Sequence, residues 1–242
     1  MKKVEKKVTD NSWVSLSDIM TGLMIIFLFI AISYMVEVHK RDKKIDDVLN
    51  IYTETKENLY NEIQDKLGNN FEHWQVEFDK DLSVKFTNPD ILFASGSAEV
   101  NAYFAEILND FLPKYFDIIK QLKYKGKIAE VRIEGHTDDA PIPRYNKDSY
   151  MGNIRLSQER SASVLAFFRE MDYYQNLAED DKKYLEFLLT ANGFSFGKAL
   201  DDEKQLSFVS DKPINREYSR RVEFKIIPTT ESLLEKISEL KK

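Results

Sequence analysis

Two groups of residues in this 242-residue chain are of types and spacings that could do chemistry. The first is one carboxylate, Asp18, at the head of the uncharged apolar run Ile19–Val36, within Trp13-Val14-Ser15-Leu16-Ser17-Asp18-Ile19-Met20-Thr21-Gly22. An ionisable group at the mouth of an apolar helix is costly unless it faces a partner or a water path, so it reads by default as an ion-carrying group. Ser17 and Thr21 bracket it with hydroxyls that could line such a path. The second group is Glu134-Gly135-His136-Thr137-Asp138-Asp139, followed by Asn153, Leu156, Ser157 and Arg160 and, later, by Arg220-Arg221. Asp138 and Arg160 can meet at the mouth of one strand–helix unit. A carboxylate beside a guanidinium and a helix amino terminus suits a zwitterion. The carboxylate receives an ammonium, while the guanidinium and backbone amides receive a carboxylate. Diaminopimelate offers both groups.

Each reading has a plain structural competitor. Asp18 could be an interfacial helix cap, because Ser17-Asp18 precedes the apolar run. Thr21 could bond back to a helix carbonyl instead of lining a path. Trp13 and Tyr34 mark the two membrane interfaces. Asp138 and Arg160 could form an ordinary ion pair. His136 invites a metal with Asp138 and Asp139, but no spaced histidine pair accompanies it, and His39 and His73 lie in other segments. Neither a metal nor a cofactor is therefore expected, and His136 reads as a residue that orients the loop. Arg220 and Arg221 should split roles, one packed inside and one facing a ligand groove. No nucleophile–base pair stands out, which argues against an enzyme.

The elements that must position these groups follow from hydrophobic spacing. Val14–Val36 is 23 residues with Asp18 as its only charge, roughly 35 Å of helix and enough to cross a ~30 Å hydrocarbon core. The stretch is too long for a signal-peptide core and no small-residue cleavage site follows. We therefore expect a tail over 1–13, a membrane helix over 14–36 and a helical stalk over 37–70. In the stalk Ile45, Leu49, Tyr52, Leu59 and Ile63 recur near a/d positions, with Lys56 interrupting. This fits a short parallel coiled coil or a helix packing on its own domain. Gly68-Asn69-Asn70 punctuates the chain. A domain over 71–228 and a tail over 229–242 complete it.

Inside that domain Leu82–Thr87 alternates like a strand, and turns at Asn88-Pro89 and Gly96 surround Ile91–Ala94. A helix is expected from about Ala98 to Lys123, kinked or split at Pro113. Ile128–Glu134 reads as a strand ending at Gly135. A helix starts near Ile154, and Leu185–Ala191 and Arg221–Ile227 read as two more strands. The fold class is α+β: a single transmembrane helix and helical stalk followed by a two-layer α/β sandwich, helices on one face of a mixed sheet.

Composition bounds the partners. The net charge of −6 leaves no large basic field for phosphates, which excludes nucleic acid as a direct partner. The chain has no cysteine, so disulfides, thiolate metal sites and thiol catalysis are excluded. Lys2, Lys3, Lys6 and Lys7 before the helix are matched by Lys40, Arg41, Lys43 and Lys44 after it. Basic-residue counting therefore leaves the orientation tied.

Gly135-His136-Thr137-Asp138, Leu156-Ser157-x-x-Arg160, Val164, Gly193 and Arg220-Arg221-Val222-Glu223-Phe224 resemble the OmpA-like peptidoglycan-binding domain over most of residues 80–228. The long gap from Asp138 to Leu156, holding Pro141, Pro143 and Asn153, resembles the MotB branch. Trp13…Asp18-x-Met20-Thr21 resembles that branch's ion-carrying segment. The whole string from Trp13 to Met24 is similar to the stator-like subunit of the Zorya anti-phage defence system. Three features depart from the pattern: Ser161 stands for a small Ala, Ser219 for an Asn before the arginine pair, and 173–186 is longer and more charged. The resemblance implies an inner-membrane homodimer inside a pentameric membrane partner, with a cytoplasmic amino terminus and a periplasmic domain. It implies that Asp18 carries the ion, a proton or a sodium ion. It further implies that Asp138, Arg160, Thr137, Asn153, Arg220 and Arg221 hold the diaminopimelate stem of peptidoglycan, and that lipid surrounds the helix.

Overall fold

The structure is a computed structural model that describes residues 12–88, 92–142, 145 and 148–229. Lys2, Lys3, Lys6, Lys7, Pro89, Ile91 and Pro143 lie outside the described residues, as do nearly all of both expected tails. The chain divides into two compact units between Asn50 and Ile51.

Helix α1 (Ser12–Leu67) runs without a break through the apolar run and the charged segment after it. From Leu16 to Val36 its apolar side chains are exposed within the chain, as a helix that faces lipid or partner chains requires. Its last turns are different. Leu59, Ile63 and Leu67 are fully buried in the core of the second unit, and Tyr60 stacks on Phe78 with ring centroids 4.9 Å apart. For Leu59 and Ile63 the apolar repeat is thus spent on their own domain. The compact unit accordingly begins upstream of Gly68–Asn70, which forms a single 3-10 turn.

After the one-turn helix Phe71–Trp74, strands β1 (Val76–Phe78) and β2 (Ser83–Phe86) make an antiparallel pair. Helix α2 (Ala102–Ile119) is capped by Asn101, whose side chain accepts from the Phe104 amide at 2.8 Å. Pro113 lies within it, yet α2 remains one element rather than two. Strand β3 (Ile128–His136) leads to α3 (Ser149–Glu170), α4 (Glu179–Leu188), β4 (Leu189–Gly193) and β5 (Arg221–Pro228). The sheet order is β1-β2-β5-β3-β4, with β3 and β4 parallel and every other neighbour antiparallel.

Alternation gives the sheet two unlike faces. Val84, Phe86, Val131, Ile133, Val222, Phe224 and Ile226 form one core with α2, α3 and α4, where Phe111 meets both Phe86 and Phe224 edge-on. Lys85, Arg132, Glu134, His136, Arg221, Glu223 and Lys225 fall on the other parity. Two expectations need correction. Leu185–Leu188 is helix, because the acidic turn Glu179-Asp180-Asp181 starts α4 and Leu185 and Leu188 share one helical face. Helix α3 starts before Ile154, because Asp148 caps it by accepting from the Tyr150 and Met151 amides.

Candidate functional site

The densest polar constellation sits where β3 and β4 end. Gly135 and Gly193 are register partners there. A Cβ on Gly135 would lie 2.2 Å from the Ser157 carbonyl oxygen, and one on Gly193 would lie 2.4 Å from the Gln158 amide nitrogen. Only hydrogen fits at both positions, so α3 lies directly against the strand ends. Asn153, Ser157 and Arg160 recur at helical spacing and share the face of α3 turned toward those ends. Ser157 Oγ accepts from the Ser195 amide at 3.0 Å, and the Thr137 amide donates to the Ser195 carbonyl at 3.0 Å. These bonds lock the loop after β4 to the exit of β3.

A cavity of about 340 Å³ opens at this junction, lined by Phe93, Gly96, Thr137, Asp138, Asn153, Arg160 and Arg220 among others. Asp138 is buried, and its carboxylate accepts from the Ala140 amide at 2.9 Å and from Arg220 Nη1 at 3.0 Å. Asn153 donates to the carbonyls of Ala140 and Ser149, fixing the same loop. Arg160 donates from Nε to the Ser97 carbonyl at 2.9 Å, and its guanidinium lies 5.0 Å from the Phe93 ring centroid. The cavity therefore joins one carboxylate to two guanidinium groups. Buried oxygens of Thr137 and Asn153 have no hydrogen-bond partner among the described residues. Such groups are costly unless a ligand or water satisfies them.

Five of the six expected binding residues, Asp138, Arg160, Thr137, Asn153 and Arg220, line this cavity. Arg221 does not. Strand alternation sends it to the opposite face, where its side chain is 4% exposed and donates to Glu223 and to the Ser219 and Lys198 carbonyls. The direct partner of Asp138 is Arg220 rather than Arg160. Asp139 pairs with Arg216 at 2.8 Å, which holds its carboxyl below the usual range. Sequence reading missed Phe93 and Gly96. They reach the cavity from a segment far upstream, and no motif in that segment announces them.

In the apolar helix, Asp18 lies well inside α1, which begins at Ser12. It is not the residue that caps the helix. Thr21 Oγ1 donates to the Ser17 carbonyl at 2.8 Å, so its hydroxyl proton is committed to the backbone. Ser17 and Thr21 lie along a groove with Trp13, Met20, Met24 and Phe27. At ~100° per residue Asp18 turns to the flank of that groove, about 60° from Thr21 and about 40° from Gly22.

The chain thus combines an apolar helix long enough and apolar enough to cross a membrane with a mixed-sheet α/β unit that carries this polar cavity. No family model matches the chain. The chain belongs to the ZorB family: it is 36% identical over 239 residues to the Zorya protein ZorB of Escherichia coli (strain Crooks), covering 98% of this chain and 96% of that one. A second Zorya protein ZorB, from an ETEC strain of Escherichia coli, is 23% identical over 235 residues, 92% of this chain and 84% of that one. Similar solved structures include the cell wall anchor of the T6SS from Pseudomonas aeruginosa, at 21% identity and TM-score 0.43 over 69% of this chain and 97% of that one. The periplasmic domain of Helicobacter pylori MotB is similar at 17% identity and TM-score 0.44, over 69% and 96%.

Proposed function

We propose that this chain is the inner-membrane, peptidoglycan-anchored stator subunit of a Zorya-type anti-phage system. The subunit is not an enzyme. The observation that carries the reading is the match to a Zorya ZorB across 98% of the chain, together with a cavity that joins Asp138 to Arg160 and Arg220. A diaminopimelate stem supplies the complement: its ammonium faces Asp138, and its carboxylate faces the two guanidinium groups. The unpartnered oxygens of Thr137 and Asn153 support a polar occupant. Wall binding puts the α/β unit in the periplasm and the amino terminus in the cytoplasm.

In this reading two copies pair within a ring of five membrane partners, and each Asp18 carries a proton past the ring. Moving one charge across the membrane contributes ~2.3 kcal/mol per 100 mV, which drives the ring in steps against a dimer held by the wall. The position of Asp18 inside α1 favours ion carriage over capping. Two experiments test the two halves separately. Asp18→Asn keeps shape and polarity but cannot titrate, so it should abolish phage protection while leaving sacculus binding intact. Unchanged protection would sink the ion-carrying role. Asp138→Ala with Arg160→Ala should abolish retention on purified sacculi, and full retention would sink the wall site.

A further inference from the structure

On the polar face of the sheet, behind the wall-binding loop, three buried side chains converge. Glu134 and Glu223 are direct register partners on the antiparallel pair β3/β5, and His136 follows on the same face. Their exposures are 6%, 5% and 2%. Like charges placed directly opposite each other across strands repel, and burial sharpens that repulsion. Arg221 hydrogen-bonds only one of them: its Nε donates to Glu223 at 2.5 Å, while Nη1 and Nη2 donate to the Ser219 and Lys198 carbonyls. The closest cation to Glu134 is Arg132, at 3.9 Å.

His136 is aimed into this pair of carboxylates. Its Nε2 lies 3.6 Å from Glu134 and 3.7 Å from Glu223, beyond hydrogen-bond length to either. Neither ring nitrogen has a hydrogen-bond partner among the described residues. The ring is held in place by stacking on Phe194, with centroids 5.2 Å apart.

We propose that Glu134, His136 and Glu223 form a buried site for a divalent first-row metal ion of the zinc class. One candidate ligand atom from each residue lies within 4.8 Å of the others. Ligands of a tetrahedral zinc sit roughly 3.3 Å apart at the usual bond lengths of about 2.0–2.1 Å. The two histidine–carboxylate separations need to close by only a few tenths of an ångström. Imidazole with carboxylates suits zinc and its neighbours, and a chelating carboxylate or one water completes four-coordination. Arg221 becomes the outer partner that orients a ligating carboxylate, a role such shells commonly fill. This trio shares only His136 with the Asp138 and Asp139 grouping that the sequence brings to mind. The ion would cross-link β3 to β5 one residue before Thr137 and so brace the loop that carries Asp138.

The test is a titration of the full chain in detergent, purified without a polyhistidine tag and stripped by chelator, with Co²⁺ and then Zn²⁺. We expect one saturable equivalent per chain, visible Co²⁺ absorption displaced by Zn²⁺, and a higher melting temperature. Glu134→Gln and His136→Gln should each weaken binding more than about tenfold. Glu134→Gln is the variant on which the proposal stands if His136→Gln fails to fold, since glutamine keeps the shape of the Glu134 side chain. Paired His39→Gln and His73→Gln should leave the signal unchanged. Absence of a saturable equivalent overturns the site, as does unaltered affinity in Glu134→Gln or loss of the signal in the His39/His73 variant.

Discussion

Gly135→Ala tests whether the cavity depends on α3 lying directly against the strand ends. The new methyl carbon would sit 2.2 Å from the Ser157 carbonyl oxygen, 3.0 Å from its carbon and 3.4 Å from its Cα. All three are backbone atoms in the middle of α3, so no rotamer change relieves them. A normal carbon–oxygen contact requires α3 or β3 to shift by about 1 Å, and overpacking of this kind costs about 1–3 kcal/mol. At about 2 kcal/mol, a unit of this size should melt roughly 4–8 °C lower. The same shift carries Asn153 and Arg160 away from Asp138, so sacculus retention should fall even at temperatures where the variant is folded. Gly193→Ala pushes on the adjacent Gln158 backbone, so the double variant should cost less than the sum of the singles. Thermal melting with sacculus pull-down checks all three variants. A Gly135→Ala protein that melts within 1 °C of the parent and binds the wall fully would refute the reasoning.

Other outcomes follow from the arginine pair and the end of α1. Arg221→Ala strips the buried Glu223 of its guanidinium and should cost about 3 kcal/mol or more in urea denaturation. Arg220→Ala should cost less, because Arg220 is partly exposed, yet it alone should reduce sacculus retention; the opposite ranking in both assays would reverse the roles assigned here. Burial disfavours the ionised Glu62, but bonds from Lys123, Lys66, Tyr124 and Gln121 prevail and lower its pKa to about 2. Its contribution is therefore present above the unfolded value of about 4.5 and is lost as pH falls from there toward 2. Glu62→Gln should destabilise the chain at pH 7 and flatten its stability between those limits, as read from urea midpoints across pH. A parallel loss at every pH would contradict this.

Much of the scaffold was legible because its signals are local. The apolar run, the alternation in Ile128–His136 and the final strand can each be read without knowing their neighbours. Leu185–Leu188 misled because a short apolar run has no decisive period, and the acidic turn that starts α4 was the better signal. Strand β1 was missed because three residues show no alternation. The sequence placed Asp138 and Arg160 at one site, but could not say that Arg220 is the partner of Asp138. That pairing depends on β5 entering the sheet beside β3. The cross-strand meeting of Glu134 and Glu223 depends on the same register. Arg220 and Arg221 divide by strand parity, which is legible only once the first residue of β5 is fixed.

The last strand among the described residues, β5, lies between β2 and β3 in the sheet. A ribosome that has completed everything up to Ser219 has therefore made two strand pairs, β1-β2 and β3-β4, with nothing to join them. Arg220 and the strand that closes the sheet arrive together, so the polar cavity and the folded domain come into being in one late, long-range step. A chain that stops short of this strand is left without a pocket and with two unpaired sheet edges where a sheet centre should be.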